Sequence, residues 1–521
     1  MKYKVLNPCG MREVIKRIPI SPRLKNLDGK TVYVVAQDRP NFMEELSKRL
    51  SKALPGSEVI YRKKQGWIRE VDQELWNEIF SNADALVYGT GMGGGSGMTA
   101  ITLVGEVEKK NIPCVYLAGE IYERDIKMSA IMRGMPAMRT IVFKLVGEEN
   151  VTEDMTDEQY ASIISDIKKS LTSPLTKEEK RKDDIITKKP PRFAMTGTFD
   201  EVQEYFIENG WSDGLPIVPP TVAKVNEMLK GTSHAPEEVV TKMMYPEELT
   251  VTVEKVAIVG AMAGCKPTYM PLLLSIVENW GSVPVFAQAA RSDSTFTIMT
   301  VVNGPIRNEI GMNKGSNAMG PGNRANATIG RFLHLGISCL GGSIPGANDL
   351  SAQGNPVKYG FCFPEYEEES PWKPFHVSQG FNENDSVITL ASGGWCHWSF
   401  SSDLDHLSRA IANFWESGSA AVIMSLEAAR LYHNKGMSKE DIEKYISEHI
   451  SLQRKDYIGT WYKIDLPWIK APKRGEKRKG PGSRVVKPSI SVIVVGGETS
   501  QPIAQAWHIN KPISTNIDKW R

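Results

Sequence analysis

A compact run of proton-transfer groups is Cys362-Phe363-Pro364-Glu365-Tyr366-Glu367-Glu368-Glu369, followed by His376. Carboxylates and an imidazole this close supply a general acid and base, or ligands for a metal. Glu365, Glu367 and His376 are therefore the catalytic candidates. The competing reading is a solvated acidic surface beside a satisfied core histidine. Cys265 follows Gly264 and precedes Lys266, and a neighbouring cation favours a nucleophilic thiolate. A packed core thiol is the alternative there. Cys396 and His397 stand side by side between Trp395 and Trp398. Adjacent residues on a strand face opposite sides, so each is a separate pocket candidate and not half of a dyad. Asp213, in a Ser-Asp-Gly turn, and Asn303, before Gly304-Pro305, are further candidates for holding a substrate. No His-x-x-x-His spacing appears, and no metal site is expected.

Two stretches are suited to holding an anion. The first is Gly89-Thr90-Gly91-Met92-Gly93-Gly94-Gly95-Ser96-Gly97-Met98-Thr99. Its glycines permit positive φ and close backbone approach, while free N–H groups at a helix start favour negative charge. Gly93, Gly94, Gly95, Ser96 and Thr99 are the candidate contacts. A phosphate loop of the Walker type needs Lys then Ser or Thr at its end, and neither is in place. The second stretch is the glycine-punctuated loop 311–322, running into a helix that begins near Asn323. Arg324 and Asn326 in its first turn, with Arg331 two turns on, form a candidate carboxylate or phosphate clamp. Asn323 itself is a good N-cap.

These residues need a scaffold. Apolar runs at 31–36, 58–61, 85–88 and 113–117 read as strands, with helical periodicity at 41–53, at 72–81 and from the glycine loop to 110. Such alternation predicts a parallel sheet with right-handed crossovers, a small doubly wound α/β domain over residues 1–170. A charged stretch ending in Pro190-Pro191 reads as a linker, 171–195. The remainder, 196–521, is expected to be a larger α/β (α+β) domain that binds and transforms substrate. It shows an apolar segment at 255–276, strands at 298–303 and 490–495, and helices at 323–336, 403–416 and twice near 425–450. Long loops fill 341–384, and a basic loop follows at 470–487.

Length and composition bound the class. The 521 residues exceed what one core supports. A net charge of +2 gives no reason to expect a nucleic-acid partner. The longest apolar run, Val256 to Cys265, is about half a membrane span, and the N-terminus has no apolar signal stretch. Six cysteines without C-x-x-C spacing argue against a disulfide framework or structural zinc. A cytoplasmic protein without membrane partners is expected, with a homodimer as the default assembly.

The stretch from Leu27-Asp28-Gly29-Lys30 through Pro40-Asn41, Leu54-Pro55-Gly56, Asp84-Ala85-Leu86-Val87 and the glycine loop to Gly119-Glu120 resembles the UGSC-motif selenoprotein family. More distantly it is similar to the selenocysteine-bearing loop of glycine and proline reductase subunits. The resemblance places a selenocysteine or cysteine at Gly93 and a second cysteine at Ser96, so both redox atoms are absent here. The C-terminal part resembles an uncharacterised domain associated with that group. That likeness rests on Trp211-Ser212-Asp213-Gly214-Leu215-Pro216, Met262-Ala263-Gly264-Cys265-Lys266-Pro267, Val302-Asn303-Gly304-Pro305, the stretch Gly320 to Arg331, and Ser370-Pro371-Trp372.

The resemblance implies cleavage chemistry at a carbon–heteroatom bond, and the missing redox pair points to a non-redox lyase or hydrolase. The expectation is an enzyme for a small anionic organic molecule, bound in a cleft between the two domains. A catalytically silent subunit that partners a selenol or thiol reductase is the second reading. A reductase using Cys265, Cys362 or Cys396 is the third. The cofactor stays open.

Overall fold

The computed structural model describes residues 1–521 except 13, 38, 66–70, 91–93, 145–154, 186–189, 284, 292–294, 352, 398–401, 413–418, 462–488 and 499–500. The chain divides into two compact units. The smaller is built from Glu13–Thr187, and the larger from Met1–Arg12, Lys188–Lys463 and Arg484–Arg521. The first strand, β1 (Tyr3–Leu6), therefore belongs to the larger unit and not to the domain that follows it in sequence.

In the smaller unit, β2 (Thr31–Ala36), β3 (Glu58–Lys63), β4 (Ala85–Gly89), β5 (Cys114–Gly119) and β6 (Thr140–Phe143) form a parallel sheet in the order β3-β2-β4-β5-β6. Apolar side chains on both faces of β2, β4 and β5 demand cover on both sides. Val32, Val34 and Ala36 pack under the helices Pro40–Ala53 and Asp157–Thr172. On the opposite face Trp76, from the helix Gln73–Asn82, meets Tyr88 edge-on at 5.6 Å. The sheet is thus doubly wound. The charged segment expected as a solvated linker is tied into this unit instead. Glu179 pairs with Arg139 at 2.8 Å, and Ile185 bridges to Ile15.

In the larger unit β1 pairs antiparallel with β7 (Phe193–Gly197), and β8 (Val239–Met244) with β9 (Leu249–Thr252). Its main sheet is mixed and seven-stranded. The strands are β10 (Thr297–Asn303), β11 (Cys362–Pro364), β12 (Val387–His397), β13 (Ala420–Met424), β14 (Ile490–Val494), β15 (Ala504–Ile509) and β16 (Ile513–Asn516). The order is β11-β10-β12-β15-β13-β14, with β16 also on β12. Val301, Phe363, Ala391, Ile423, Ile493 and Trp507 gather in one apolar cluster although they come from every strand of that path. The sheet is also curled. Its edges do meet: the Tyr366 N–H donates to the Val494 carbonyl at 2.8 Å.

The outer face of β10 and β12, with Ile298, Val302, Ile388 and Leu390, packs on the helices Val253–Ala263 and Met270–Ser282. The apolar segment 255–276 is therefore core. Both helices are apolar nearly all round, which suits burial. Among the described residues no helix is long and apolar enough to cross a membrane.

Candidate functional site

A cavity of about 450 Å³ opens in the larger unit. Its wall draws on the turn at Ser212-Asp213, on Thr297 and Ile298 of β10, on His334 and Ser338, and on the loop from Ser343 to Tyr359. The Asp213 turn is anchored by Trp211, whose ring packs edge-on against Tyr205 and Phe206. Gly214, at φ 86, completes a turn that a side chain would strain. Asp213 is also held from the helix Arg324–Cys339: Arg331 donates to both its carboxylate oxygens, at 2.7 and 2.8 Å. One turn further along that helix stands His334, and then Ile337 and Ser338, all on the cavity side.

The cavity's electrostatics are those of a neutral base beside a shared cation. His334 Nε2 is buried and has no hydrogen-bond partner among the described residues. Burial, then the nearby Lys358 charge, pushes its pKa down to about 4, so the imidazole is neutral at ordinary pH. Lys358 Nζ donates to Asp349 at 2.6 Å and to the Ser351 hydroxyl at 2.9 Å. Thr297, also on the wall and 3 % exposed, has a hydroxyl without a partner. Asn355 ties the loop to the sheet through the carbonyls of Thr295 and Gly394. Of the residues singled out from sequence, Asp213 alone among those described lines this cavity. His334 escaped because Phe332-Leu333-His334-Leu335 reads as core; its spacing of three from Arg331 was the available signal.

His508, away from the cavity wall, is likewise pushed down to about 4 by burial. Between about pH 6.5 and 4 the unfolded chain takes up protons that these two imidazoles refuse in the native state. Stability is thus fully retained above 6.5 and falls as pH drops through this window, by on the order of 3 kcal/mol for each group. Urea unfolding across that range is expected to show a shallower acid loss for His334→Gln than for the parent. Equal slopes would contradict the assignment.

A second constellation lies where the sheet edges meet. Here the structure brings Asn303, Glu365, Glu367 and His376 together, as candidates from distant positions, and adds Arg307 and Lys439. Glu365 is fully buried and accepts from Asn303 Nδ2 at 2.7 Å, the Phe375 N–H at 2.6 Å and Lys439 Nζ at 3.0 Å. Glu367 accepts from Asn303 Nδ2 and the Gly304 N–H, each at 2.8 Å, and from Arg307 Nη2 at 2.7 Å. Burial raises the Glu367 carboxyl, against the pull of Arg307. His376 is fully buried, with Nε2 against the Asn382 carbonyl at 3.1 Å and Nδ1 3.9 Å from Glu367. Carboxylates this well supplied with donors fix chain segments in place. The acidic run is half surface and half core: Glu368 and Glu369 are the exposed part.

The other candidates lie elsewhere. Arg324 donates through Nε and Nη2 to the Gly264 carbonyl, closing the end of the helix Val253–Ala263. Asn326 is buried and bonds the backbone of Asn313 and Ala318, which pins the preceding loop. Asn323 caps the helix, accepting from the Asn326 N–H. Cys265 is buried with Sγ 3.4 Å from the Thr328 carbonyl, and burial pushes its thiol up to about 12. The activation expected from Lys266 does not arise, because desolvation outweighs the cations around the sulfur. Cys396 and His397 occupy the end of β12; their side chains lie outside the described residues, as does Gly93. Gly94 opens the helix Gly94–Lys109, which carries Gly95, Ser96 and the partly buried Thr99.

The thiols as a group bear on redox chemistry. Burial raises Cys9 to about 11 and raises Cys114, Cys339 and Cys362 as well. None of the five described cysteines is disulfide-bonded. Iodoacetamide on the native protein at pH 8 is expected to leave these five largely unmodified until denaturant is added. Rapid labelling of one of them would revive thiol catalysis.

Comparison with known families gives a match for one part of the chain. Residues 4–173 match the UGSC family model. The UGSC match takes in β1, the whole parallel sheet and the helix Asp157–Thr172, and it stops short of β7. Comparison with curated proteins and with solved structures gives no match.

Proposed function

We propose that this chain is a non-redox enzyme that cleaves or forms a carbon–heteroatom bond (C–S, C–N or C–O) in a small organic anion, with the chemistry done in the cavity of the larger unit. The observation that carries the reading is His334: a neutral imidazole with a buried, unpartnered nitrogen, on the wall of a cavity that also holds a lysine. A substrate carboxylate exchanges for Asp349 on Lys358. His334 then takes a carbon-bound proton as the carbon–heteroatom bond breaks and a double bond forms. The leaving atom departs with the bonding pair and recovers the proton from His334. Asp213, held by Arg331, presents a fixed acceptor on the cavity wall. The raised thiols favour this lyase-type route over a cysteine-dependent reductase.

In the smaller unit, Gly93, Gly94, Gly95, Ser96 and Thr99 stay proposed anion contacts without redox atoms. We place the protein in the cytosol, where free cysteines persist, as a homodimer with no nucleic-acid partner. The test is binding of a panel of small carboxylates bearing C–S, C–N or C–O bonds, measured by calorimetry on the parent and on Lys358→Met. A bound member whose affinity drops about tenfold or more in the variant is expected, as for loss of a charge-assisted hydrogen bond. Unchanged affinity would move the site out of this cavity, and binding without turnover would favour the silent-subunit reading.

A further inference from the structure

The protein itself satisfies most polar side chains on the wall of the larger unit's cavity. Asp213 pairs with Arg331, Lys358 with Asp349 and Ser351, and the Ser343 hydroxyl donates to the Ala290 carbonyl at 2.7 Å. Among the described side chains that are not exposed, three are left over. His334 Nε2 and Thr297 Oγ1 are buried without a partner, and the half-buried Ser338 makes no side-chain hydrogen bond among the described residues. A serine inside a helix commonly turns its hydroxyl back to the carbonyl four residues earlier. Thr328 does so in this same helix, donating to the Arg324 carbonyl at 2.7 Å. Ser338 does not, although it and His334 both line the cavity. Spaced by four, the two stand one turn apart on one helix face.

Thr297 is held in place by packing. It pairs with Gly393 across β10 and β12, and a Cβ at Gly394 would lie 3.1 Å from its methyl. With the methyl seated against Gly394 and χ1 of a β-branched side chain stiff, the direction of the hydroxyl is set. Leaving a buried hydroxyl unbonded is costly, and here the wall does so at a fixed point.

What the protein leaves unmatched, a bound molecule can match. All three groups are neutral, one imidazole and two hydroxyls. An ammonium placed among them keeps its desolvation cost, so a neutral heteroatom suits them better. Sulfur is a weak donor and a weak acceptor, whereas a hydroxyl gives and accepts a full hydrogen bond. We propose that the cavity takes a small hydroxycarboxylate, that the bond broken is C–O, and that Ser338 and Thr297 recognise the substrate hydroxyl. The inference rests on the cavity being the reactive site and narrows its chemistry. Thr297 accepts from the substrate hydroxyl and orients it. Ser338 donates to the departing oxygen from the helix face that carries the base. The carbon-bound proton goes to His334, its electron pair becomes the new C=C bond, and the oxygen leaves with the C–O pair. That oxygen takes the proton back from the imidazolium and departs as water, with no redox change.

The test is calorimetry and turnover of the full chain with the hydroxy, amino and mercapto derivatives of butanoate and of succinate. Three variants are compared with the parent: Ser338→Ala, Thr297→Val and Lys358→Met. The first two are expected to melt no lower than the parent, because neither hydroxyl bonds the protein. The expected result is a hydroxy member that binds the parent about tenfold or more tighter than its amino and mercapto counterparts, and that alone loses water. Ser338→Ala lowers kcat for it about tenfold or more with little change in KM, and Thr297→Val weakens its binding several-fold. An amino or mercapto member that binds more tightly, still dependent on Lys358, overturns the inference and leaves the cavity reading standing. A hydroxy member whose binding and turnover ignore both hydroxyl variants overturns it as well. No Lys358-dependent binding by any member removes the inference and the cavity reading together.

Discussion

His334→Gln is expected to lower turnover by roughly 10²–10⁴-fold, the usual cost of removing a positioned general base. Glutamine preserves much of the volume and offers hydrogen bonding in place of Nε2, but it cannot take a proton at neutral pH. The surroundings are firmly set: the helix is capped by Asn323, and Arg331 one turn earlier is bound to Asp213. Substrate affinity should therefore change little, and the loss should fall on kcat. The depressed imidazole pKa gives a second signature. Activity of the parent should persist well below pH 6.5, because the folded-state imidazole stays unprotonated down to about 4. A pH–rate profile falling near 6.5 would mean that a different group carries the proton.

Glu365→Ala is expected to destabilise the larger unit by roughly 3–5 kcal/mol, the cost of breaking a buried ion pair from one side. Lys439, 3 % exposed, would be left with a buried charge and, among the described residues, the Lys373 carbonyl as its remaining hydrogen-bond acceptor. Asn303 and the Phe375 N–H would lose an acceptor at the same time. The location makes the damage larger than local, since Tyr366 joins the two sheet edges one residue further on. Urea denaturation read through tryptophan fluorescence measures the loss, and a change below about 1 kcal/mol would contradict this role for the network. A double variant, Glu365→Ala with Lys439→Met, should recover part of the stability because no unpaired charge remains.

The parallel sheet was legible because its signals are local. The run Thr31–Ala36 is apolar on both faces, and the three strands that follow are bracketed by helical periodicity; the short edge strand β6 (Thr140–Phe143) was not read. In the larger unit β10 and β14 were equally plain. β12, β13 and β15 were not: Val387-Ile388-Thr389-Leu390-Ala391-Ser392-Gly393-Gly394 ends in glycines, and Ala420–Met424 runs straight into a helix. What makes them strands is pairing with partners far away in sequence, as Val387 pairs with Asn516.

The Glu365 constellation was half legible: its acids and His376 stand close in sequence, but Arg307 and Lys439 arrive through the curl of the sheet. The cavity was scarcely legible, since Asp213, Thr297, His334 and Lys358 share no sequence pattern. The Arg324 clamp misled for the opposite reason. A loop meeting a helix start resembles an anion site, yet here Arg324 closes a neighbouring helix and Asn326 pins its own loop.

The central claim is that turnover needs the cavity and no thiol. The most direct measurement is mass-spectrometric analysis of a mixture of small carboxylates bearing C–S, C–N and C–O bonds. The mixture is incubated with thiol-blocked protein in the absence of any dithiol, metal reductant or nicotinamide. The account predicts loss of at least one component and appearance of an unsaturated product and a heteroatom leaving group in equal amounts. That turnover should be unaffected by blocking and at least about 100-fold slower in His334→Gln. Turnover that appears only with added dithiol and unblocked protein, or that runs at the parent rate in His334→Gln, would contradict it.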